Sequence, residues 1–244
     1  LTDIIADPIG EADELHSETL LRLPNGFQCY QGNDDIPMET ELLQQGGKQI
    51  TFGSFNNVSK ITPIVIKTWS KILHSVPTSR LVLKLQKLNN NTSYYHDLFI
   101  QEGIDKERVK FYQPSPSIEE HLSLYNTIDI GLDPFPFNGA TTTCEALWMG
   151  VPVITLLGDR HVGRVGASIL TNIGLEDFIA HDINGYIELA VEMSSNLKYL
   201  MEIKTGLRKQ MQNAPLSDGL SFAKDFEILY QDMWSKYQLK SIKK

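Results

Sequence analysis

Polar segments follow three of the apolar runs in this chain, and each segment could bind an anion. The first begins at Gly53 and ends at Lys60, directly before a predicted helix. The amide of Asn57 and the ammonium of Lys60 are groups that bind phosphate, and a helix N-terminus adds free N–H groups. Turn formation by asparagine and serine beside a solvated lysine is the alternative interpretation.

The second segment begins at Asp133 and passes through Asn138 and Gly139 to three threonines, which are Thr141, Thr142 and Thr143. Threonine is a poor helix former but a good cap, so this run predicts a helix N-terminus that presents hydroxyl and N–H groups to a diphosphate. Glu145, about one turn later, could accept hydrogen bonds from ribose hydroxyls. The alternative is an ordinary capped helix in which Glu145 complements the helix dipole.

Histidines accompany the remaining candidates. The third segment, Gly158–Gly166, places Arg160 and His161 where a helix begins, so that either could contact the same anion, although Asp159 could neutralise one of the basic groups. His121 lies early in another predicted helix. By residue type alone, a surface or core histidine is the ordinary interpretation of His121.

Short β-branched runs alternate with longer amphipathic stretches from Ile50 onward. The predicted strands are Ile50–Phe52, Leu81–Leu85, Val109–Tyr112, Ile128–Leu132 and Val151–Leu156. The predicted helices are Pro63–Ser75, Ser93–Glu102, Ile118–Asn126, Thr141–Met149 and Val162–Asn172. This alternation predicts an α/β fold with a parallel, doubly wound, Rossmann-like sheet up to about Ile179. Because such a sheet gathers its loops at the carboxyl ends of the strands, we expect Lys60, the threonines and Glu145 to share one pocket.

The two ends of the chain differ from this regular lobe, which we assign to residues 49–218. Residues 1–48 are rich in acidic and turn-forming residues and predict a connector with one or two strands. Residues 219–244 contain a helix and a basic tail. The aromatic residues of this helix recur at helical spacing, so we expect them to face the core and the helix to pack back on the N-terminal segment.

Composition excludes several classes of protein. With 41% hydrophobic and 21% charged residues among 244, the chain is globular and not disordered. A formal net charge of −8 argues against a nucleic-acid partner. Two cysteines are too few for a disulfide framework or a Cys-rich zinc site, and the sequence has neither a run of about 18 apolar residues nor a leader. We therefore expect a cytoplasmic protein that does not span a membrane.

The motifs together resemble those of a known family, the protein O-GlcNAc transferase and SPINDLY-type glycosyltransferases. The likeness to their C-terminal catalytic lobe covers most of the chain, and it is carried by Phe52–Asn57, Lys60–Pro63, Asp133–Gly139, Thr141–Pro152 and Arg164–Ser168. It implies a GT-B architecture, in which two Rossmann-like lobes face each other and the C-terminal lobe holds the nucleotide diphosphate of the sugar donor.

The resemblance also implies roles for individual residues. Lys60 corresponds to the catalytic lysine that stabilises the departing diphosphate, an electrostatic role that a metal plays elsewhere. Asn57 corresponds to an amide beside it, Glu145 to the ribose ligand, and His121 to a histidine stacked near the nucleobase. Thr141 and Thr142 correspond to phosphate-binding threonines. The expected donor site is completed by Asn138, Gly139, Thr143, Arg160 and His161.

The implied reaction transfers GlcNAc from UDP-GlcNAc to serine or threonine of an acceptor protein, with neither a metal nor another cofactor. Further expected partners are the rest of the N-terminal lobe and the tetratricopeptide repeats of a longer protein. Animal family members carry basic residues in place of Ile118 and Leu124 and a histidine in place of Ala140. The Thr-Thr-Thr-Cys-Glu form is shared with bacterial members and with SPINDLY-type proteins, which use GDP-fucose.

Several alternatives remain open at this point. The donor could be GDP-fucose or UDP-glucose, and the lobe could bind a nucleotide or a partner without catalysis. A nicotinamide-dependent dehydrogenase also uses a Rossmann lobe. It requires G-x-G-x-x-G after the first strand, where Gly53–Val58 supplies a single glycine.

Overall fold

The computed structural model describes residues 1–39, 49–85 and 92–242. Two short strands, β1 (Thr2–Asp3) and β2 (Arg22–Leu23), form a small parallel pair near the start of the chain. The main sheet has six strands: β3 (Thr51–Ser54), β4 (Arg80–Lys84), β5 (Val109–Tyr112), β6 (Ile130–Leu132), β7 (Val153–Leu156) and β8 (Ile179–Ala180).

All neighbours in the main sheet are parallel, and their spatial order is β5-β4-β3-β6-β7-β8. Strands β4 and β5 therefore follow β3 on one side of it, and strands β6, β7 and β8 are then added in order on the other side. Crevices that bind ligands in open parallel sheets lie at such a switch point, beyond the carboxyl ends of the strands. Here the switch point lies between β3 and β6.

Helices cover both faces of the sheet. They are α1 (Pro63–Ser75), α2 (Thr92–Gln101), α3 (Ile118–Ser123), α4 (Thr141–Trp148), α5 (Val165–Asn172), α6 (Ile183–Ser195), α7 (Leu197–Gln212) and α8 (Gly219–Ile242). Helix α1 packs against α2 and α6, whereas α4 packs against α5 and α7. This division is expected of right-handed crossovers on either side of a switch point.

Helix α1 shows how sequence pattern and packing agree. Pro63 fits the first helical position because the missing N–H has no partner there in any helix. Apolar side chains recur on one face and are almost fully buried, namely Val65, Ile66, Trp69, Ile72 and Leu73. The indole of Trp69 donates to the Tyr186 hydroxyl at 3.3 Å, and that hydroxyl donates to the Asp133 carbonyl at 3.0 Å. The core is thereby joined to the loop that follows β6.

The predicted fold class is confirmed, and the predicted strands and helices occur with shifts of one to three residues at several ends. The one or two strands expected in residues 1–48 are β1 and β2. The predicted boundary at residue 48 and the end of the basic tail lie outside the described residues.

The prediction that the aromatic stripe of the last helix faces the core is wrong for the described chain. Tyr230 and Trp234 are 53% and 60% exposed. Near its start, α8 meets the N-terminal segment, where the Asn25 amide donates to the Asp225 carboxylate at 3.3 Å. Phe222 and Phe226, nearer that contact, are partly buried, and none of the aromatic side chains of α8 is fully buried within the described residues. In the described residues, no helix has the length and hydropathy required to cross a bilayer.

Candidate functional site

A cavity of about 680 Å³ opens at the carboxyl ends of β3, β4, β5 and β6. It therefore lies at the switch point of the sheet. The predicted site residues that line it are Asn57, Lys60, His121, Thr141, Thr142 and Glu145. About 80 residues separate Lys60 from the threonines in sequence, and the parallel sheet brings them together.

Lys60 supplies a cation to this cavity. Its ammonium donates to the Asn138 carbonyl at 2.7 Å and lies 4.3 Å from the centre of the Phe137 ring. Burial lowers the pKa of Lys60, and the nearby Asp133 opposes that effect. An ammonium has three N–H donors, and within the described residues only one of them meets an acceptor, which leaves two for a ligand. Asn57 sets the backbone before Lys60, because its side-chain oxygen accepts from the Ser59 N–H at 3.0 Å.

The N-terminus of α4 supplies unpaired donors beside this cation. Within residues 1–39, 49–85 and 92–242, the backbone N–H groups of Thr141 and Thr142 donate to no acceptor, and no side chain caps the helix. Gly139 allows the close approach of this turn, because a Cβ there would lie 2.4 Å from Thr143 Oγ1. Free N–H groups and the helix dipole favour an anion at this position.

Glu145 and His121 form the opposite side of the cavity. The Nε2 atom of His121 lies 2.9 Å from one oxygen of Glu145, and the Tyr125 hydroxyl donates to the same oxygen at 3.2 Å. Burial and the Glu145 charge raise the pKa of Tyr125 well above its usual value, so the hydroxyl keeps its proton. The Lys84 ammonium contacts the other ring nitrogen of His121.

Asp133 stabilises the turn between β6 and α4 through its side chain. Its carboxylate accepts from the Gly139 N–H at 2.6 Å and from the Thr155 hydroxyl at 2.7 Å. Burial raises the pKa of Asp133 to about 7, although these two hydrogen bonds and the Lys60 charge act in the opposite direction. The turn includes Asn138, whose side chain is buried and whose carbonyl fixes Lys60.

The structure does not bring every predicted residue to this cavity. Arg160 and His161 line a second cavity of about 230 Å³, together with Asp7 and His16 of the N-terminal segment. His161 Nδ1 lies 2.7 Å from the Asp7 carboxylate. Asn138, Gly139 and Thr143 do not line the first cavity, and they lie in the turn and the first part of α4 beside it.

Among the residues at or beside the first cavity that were not predicted, three carry side chains that could act on a ligand or on its contacts, namely Lys84, Tyr125 and Asp133. Lys84 is the last residue of β4 and Asp133 directly follows β6. Their position at the carboxyl ends of strands is the signal that could have found them. Tyr125 lies in a helical turn and carries no such signal. Among the described residues, no cluster of three or more His, Cys, Asp or Glu side chains could hold a metal ion.

The fold is that of the Rossmann-like C-terminal lobe of a GT-B glycosyltransferase. The structure is similar to that of a Thermobaculum terrenum O-GlcNAc transferase point mutant, with a TM-score of 0.88, 32% identity, and coverage of 98% of this chain and 45% of that one. A complex of Anabaena HepE with UDP-glucose shares only the fold, with 18% identity and a TM-score of 0.52 over 79% of this chain and 52% of that one.

More specifically, the chain belongs to glycosyl transferase family 41, whose model matches residues 39–226. The probable UDP-N-acetylglucosamine–peptide N-acetylglucosaminyltransferase SPINDLY of Solanum lycopersicum is 38% identical over 239 residues. That match covers 97% of this chain and 26% of the relative, so the chain spans about a quarter of it. The corresponding SEC enzyme of Arabidopsis thaliana is 29% identical, over 96% of this chain and 25% of the relative.

Proposed function

We propose that the protein containing this chain transfers GlcNAc from UDP-GlcNAc to serine or threonine of acceptor proteins, and that this chain supplies the donor-binding lobe. The observation that carries the proposal is the meeting of Lys60 with the unpaired N–H groups of Thr141 and Thr142 at one cavity. A cation and a helix N-terminus together match the charge of a diphosphate. The names of the SPINDLY and SEC relatives, which are those of UDP-N-acetylglucosamine–peptide N-acetylglucosaminyltransferases, support the choice of donor.

The proposed reaction is a substitution at the anomeric carbon of the sugar. The acceptor oxygen forms a bond to this carbon as the bond to the β-phosphate oxygen breaks. UDP leaves with the electron pair, and the proton of the acceptor hydroxyl passes to solvent water. Lys60 and the α4 N-terminus stabilise the charge that develops on the phosphate, because they are already oriented before the reaction. His121 and Glu145 hold the nucleoside.

The proposal requires no metal, and it assigns the reaction to the cytoplasm. The acceptor-binding surface and the rest of the N-terminal lobe would come from outside this chain. GDP-fucose is the second candidate donor, because identity is higher to SPINDLY than to SEC and because the family resemblance implies that sugar for SPINDLY-type members.

A thermal-shift panel tests the proposal with UDP, GDP, UDP-GlcNAc, UDP-glucose and GDP-fucose. A ligand at about 100 times its Kd stabilises the folded state by about 2.7 kcal/mol. We expect UDP and UDP-GlcNAc to raise the Tm most. A larger rise with GDP and GDP-fucose would assign the second donor, and no rise with any ligand would contradict donor binding.

Transfer is tested separately in the complete protein, by the mass of an acceptor polypeptide after incubation with the donor that binds. Addition of one sugar is expected. Donor binding without any transfer would favour a non-catalytic lobe.

A further inference from the structure

Lys84 is a buried cation at the edge of the proposed donor cavity. It ends β4, lines the cavity, and is only 6% exposed. Burial lowers the pKa of Lys84, whereas the charge of Glu145 raises it. A buried ammonium is costly unless it is paired through hydrogen bonds and charges. Its position therefore indicates a specific arrangement of the groups around it.

The hydrogen bonds around Lys84 determine where the proton of His121 lies. An ammonium can only donate, so the His121 Nδ1 atom that it contacts must accept. The proton of a neutral His121 ring is then on Nε2, which donates to Glu145 at 2.9 Å. The neutral ring of His121 thus lies between the Lys84 cation, from which it accepts, and the Glu145 anion, to which it donates.

This order leaves one side of Glu145 open to a ligand. His121 donates to the Oε2 atom of Glu145, and the single proton of the Tyr125 hydroxyl is shared between that atom and the Thr142 carbonyl, each at 3.2 Å. No donor in the described ranges reaches the Oε1 atom, and Glu145 lines the cavity. A carboxylate oxygen held in this way is suited to accept from a hydroxyl group of a bound nucleoside.

We infer that Lys84 is a positioning residue for the nucleoside of the donor. It fixes the tautomer of His121, and through that ring it orients Glu145 toward the ribose hydroxyls. The inference rests on the proposed function, because it assigns the nucleoside to this end of the cavity. Lys84 acts through His121 and does not contact the ligand.

The tautomer is tested without any ligand. In the chain labelled with nitrogen-15 in histidine, the imidazole shifts should show a proton on Nε2 of His121 and an accepting Nδ1. Lys84→Met removes the donor at nearly constant size, and we expect it to abolish this preference. Lys110→Met is the matched control, because Lys110 is an exposed lysine on the adjacent strand β5. A proton on Nδ1 in the unmodified chain would overturn the inference with no substitution needed.

Calorimetric titrations with UDP and with GDP test the consequence for binding. For the nucleotide that binds more tightly, Lys84→Met should raise Kd about 10-fold, which is the size of one charge-assisted hydrogen bond. Lys110→Met should leave Kd unchanged. In a His121→Phe background, Lys84→Met should change Kd by less than about 2-fold, because residues that act through one another are not additive.

The outcomes separate the two proposals. If the unmodified chain binds neither UDP nor GDP, the proposed function fails. If it binds one of them and Lys84→Met weakens binding equally in both backgrounds, only the positioning role fails. The same holds if Lys84→Met has no effect on binding in a variant with a native circular dichroism spectrum.

Discussion

Two histidine–carboxylate pairs in this chain have similar geometry and different surroundings. His121 lies 2.9 Å from Glu145, and His161 lies 2.7 Å from Asp7. The first pair lies at the switch point of the sheet, in the cavity that also contains Lys60 and the α4 N-terminus. The second pair connects the N-terminal segment to the loop after β7. The position in the sheet, and not the pair itself, therefore sets the proposed donor site apart from the contact between His161 and the N-terminal segment.

The partners of Asp7 explain why the second pair is structural. Burial alone would raise the pKa of Asp7, but hydrogen bonds from Thr2 and His161 and the His161 charge together hold it below its usual value. On the same loop, Arg164 donates to the Ile5 carbonyl at 2.7 Å. These contacts fasten residues 5 and 7 to the lobe.

The largest effect is expected for Lys60→Ala in the complete protein. Turnover should fall by about 30-fold to 1,000-fold, and donor binding should weaken less, because the charge on the diphosphate grows as the glycosidic bond breaks. Lys60→Arg should rescue poorly, since a planar guanidinium does not replace a compact ammonium at the Asn138 carbonyl. Steady-state kinetics check this, with Lys110→Ala as the exposed control. Near-normal turnover in a folded Lys60→Ala protein would defeat the mechanism.

The second-largest expected effect comes from removing the carboxylate of each histidine–carboxylate pair in turn. Glu145→Gln should weaken nucleotide binding about 10-fold, because a charged acceptor for the ribose is lost. Asp7→Asn should leave nucleotide binding within about 2-fold and instead lower the free energy of unfolding by about 1–3 kcal/mol. Calorimetry and urea unfolding measure the two quantities. Loss of binding in Asp7→Asn would place the second pair in the donor site.

A smaller effect concerns the pH dependence of stability. Asp133 has a pKa of about 7 in the folded chain, against 3.8 for an unperturbed aspartate. Between these values the folded state holds a proton that the unfolded state has lost. The contribution of Asp133 to the free energy of unfolding therefore falls as pH rises toward 7. Asp133→Asn lacks this titration.

Urea unfolding from pH 5 to pH 8 measures this contribution. The free energy of unfolding of Asp133→Asn, relative to the unmodified chain, should rise by at least about 1 kcal/mol over that interval. Asp177→Asn, at an exposed aspartate, is the control. If the free energy of unfolding of Asp133→Asn changed with pH in the same way as that of the unmodified chain, Asp133 would not be protonated in this range.

The parts of the molecule that could be predicted from sequence are those that periodicity and strand direction determine. Alternating runs identify the parallel sheet, and the carboxyl ends of its strands bring Lys60, Thr141 and Glu145 to one edge. Arg160 and His161 also follow a strand, β7. That strand lies one position beyond the switch point, so its loop reaches the N-terminal segment instead. Strand order, which decides between these outcomes, is not visible in a single sequence.

Helix α8 shows a second limit of prediction from sequence. The spacing of Phe226, Tyr230 and Trp234 predicts a helix, and the helix is present. Periodicity identifies an apolar stripe but not the surface that covers it. Phe226 and Tyr230 lie with ring centres 4.8 Å apart, while Tyr230 remains exposed.

The central claim is that the cavity at the switch point binds the diphosphate of a nucleotide donor. A crystal structure of this chain with UDP tests it most directly. The claim predicts phosphate oxygens within about 3.2 Å of the Lys60 ammonium and of the Thr141 and Thr142 N–H groups, with the ribose on Glu145. A diphosphate bound elsewhere, for example beside Asp7 and His161, would contradict it.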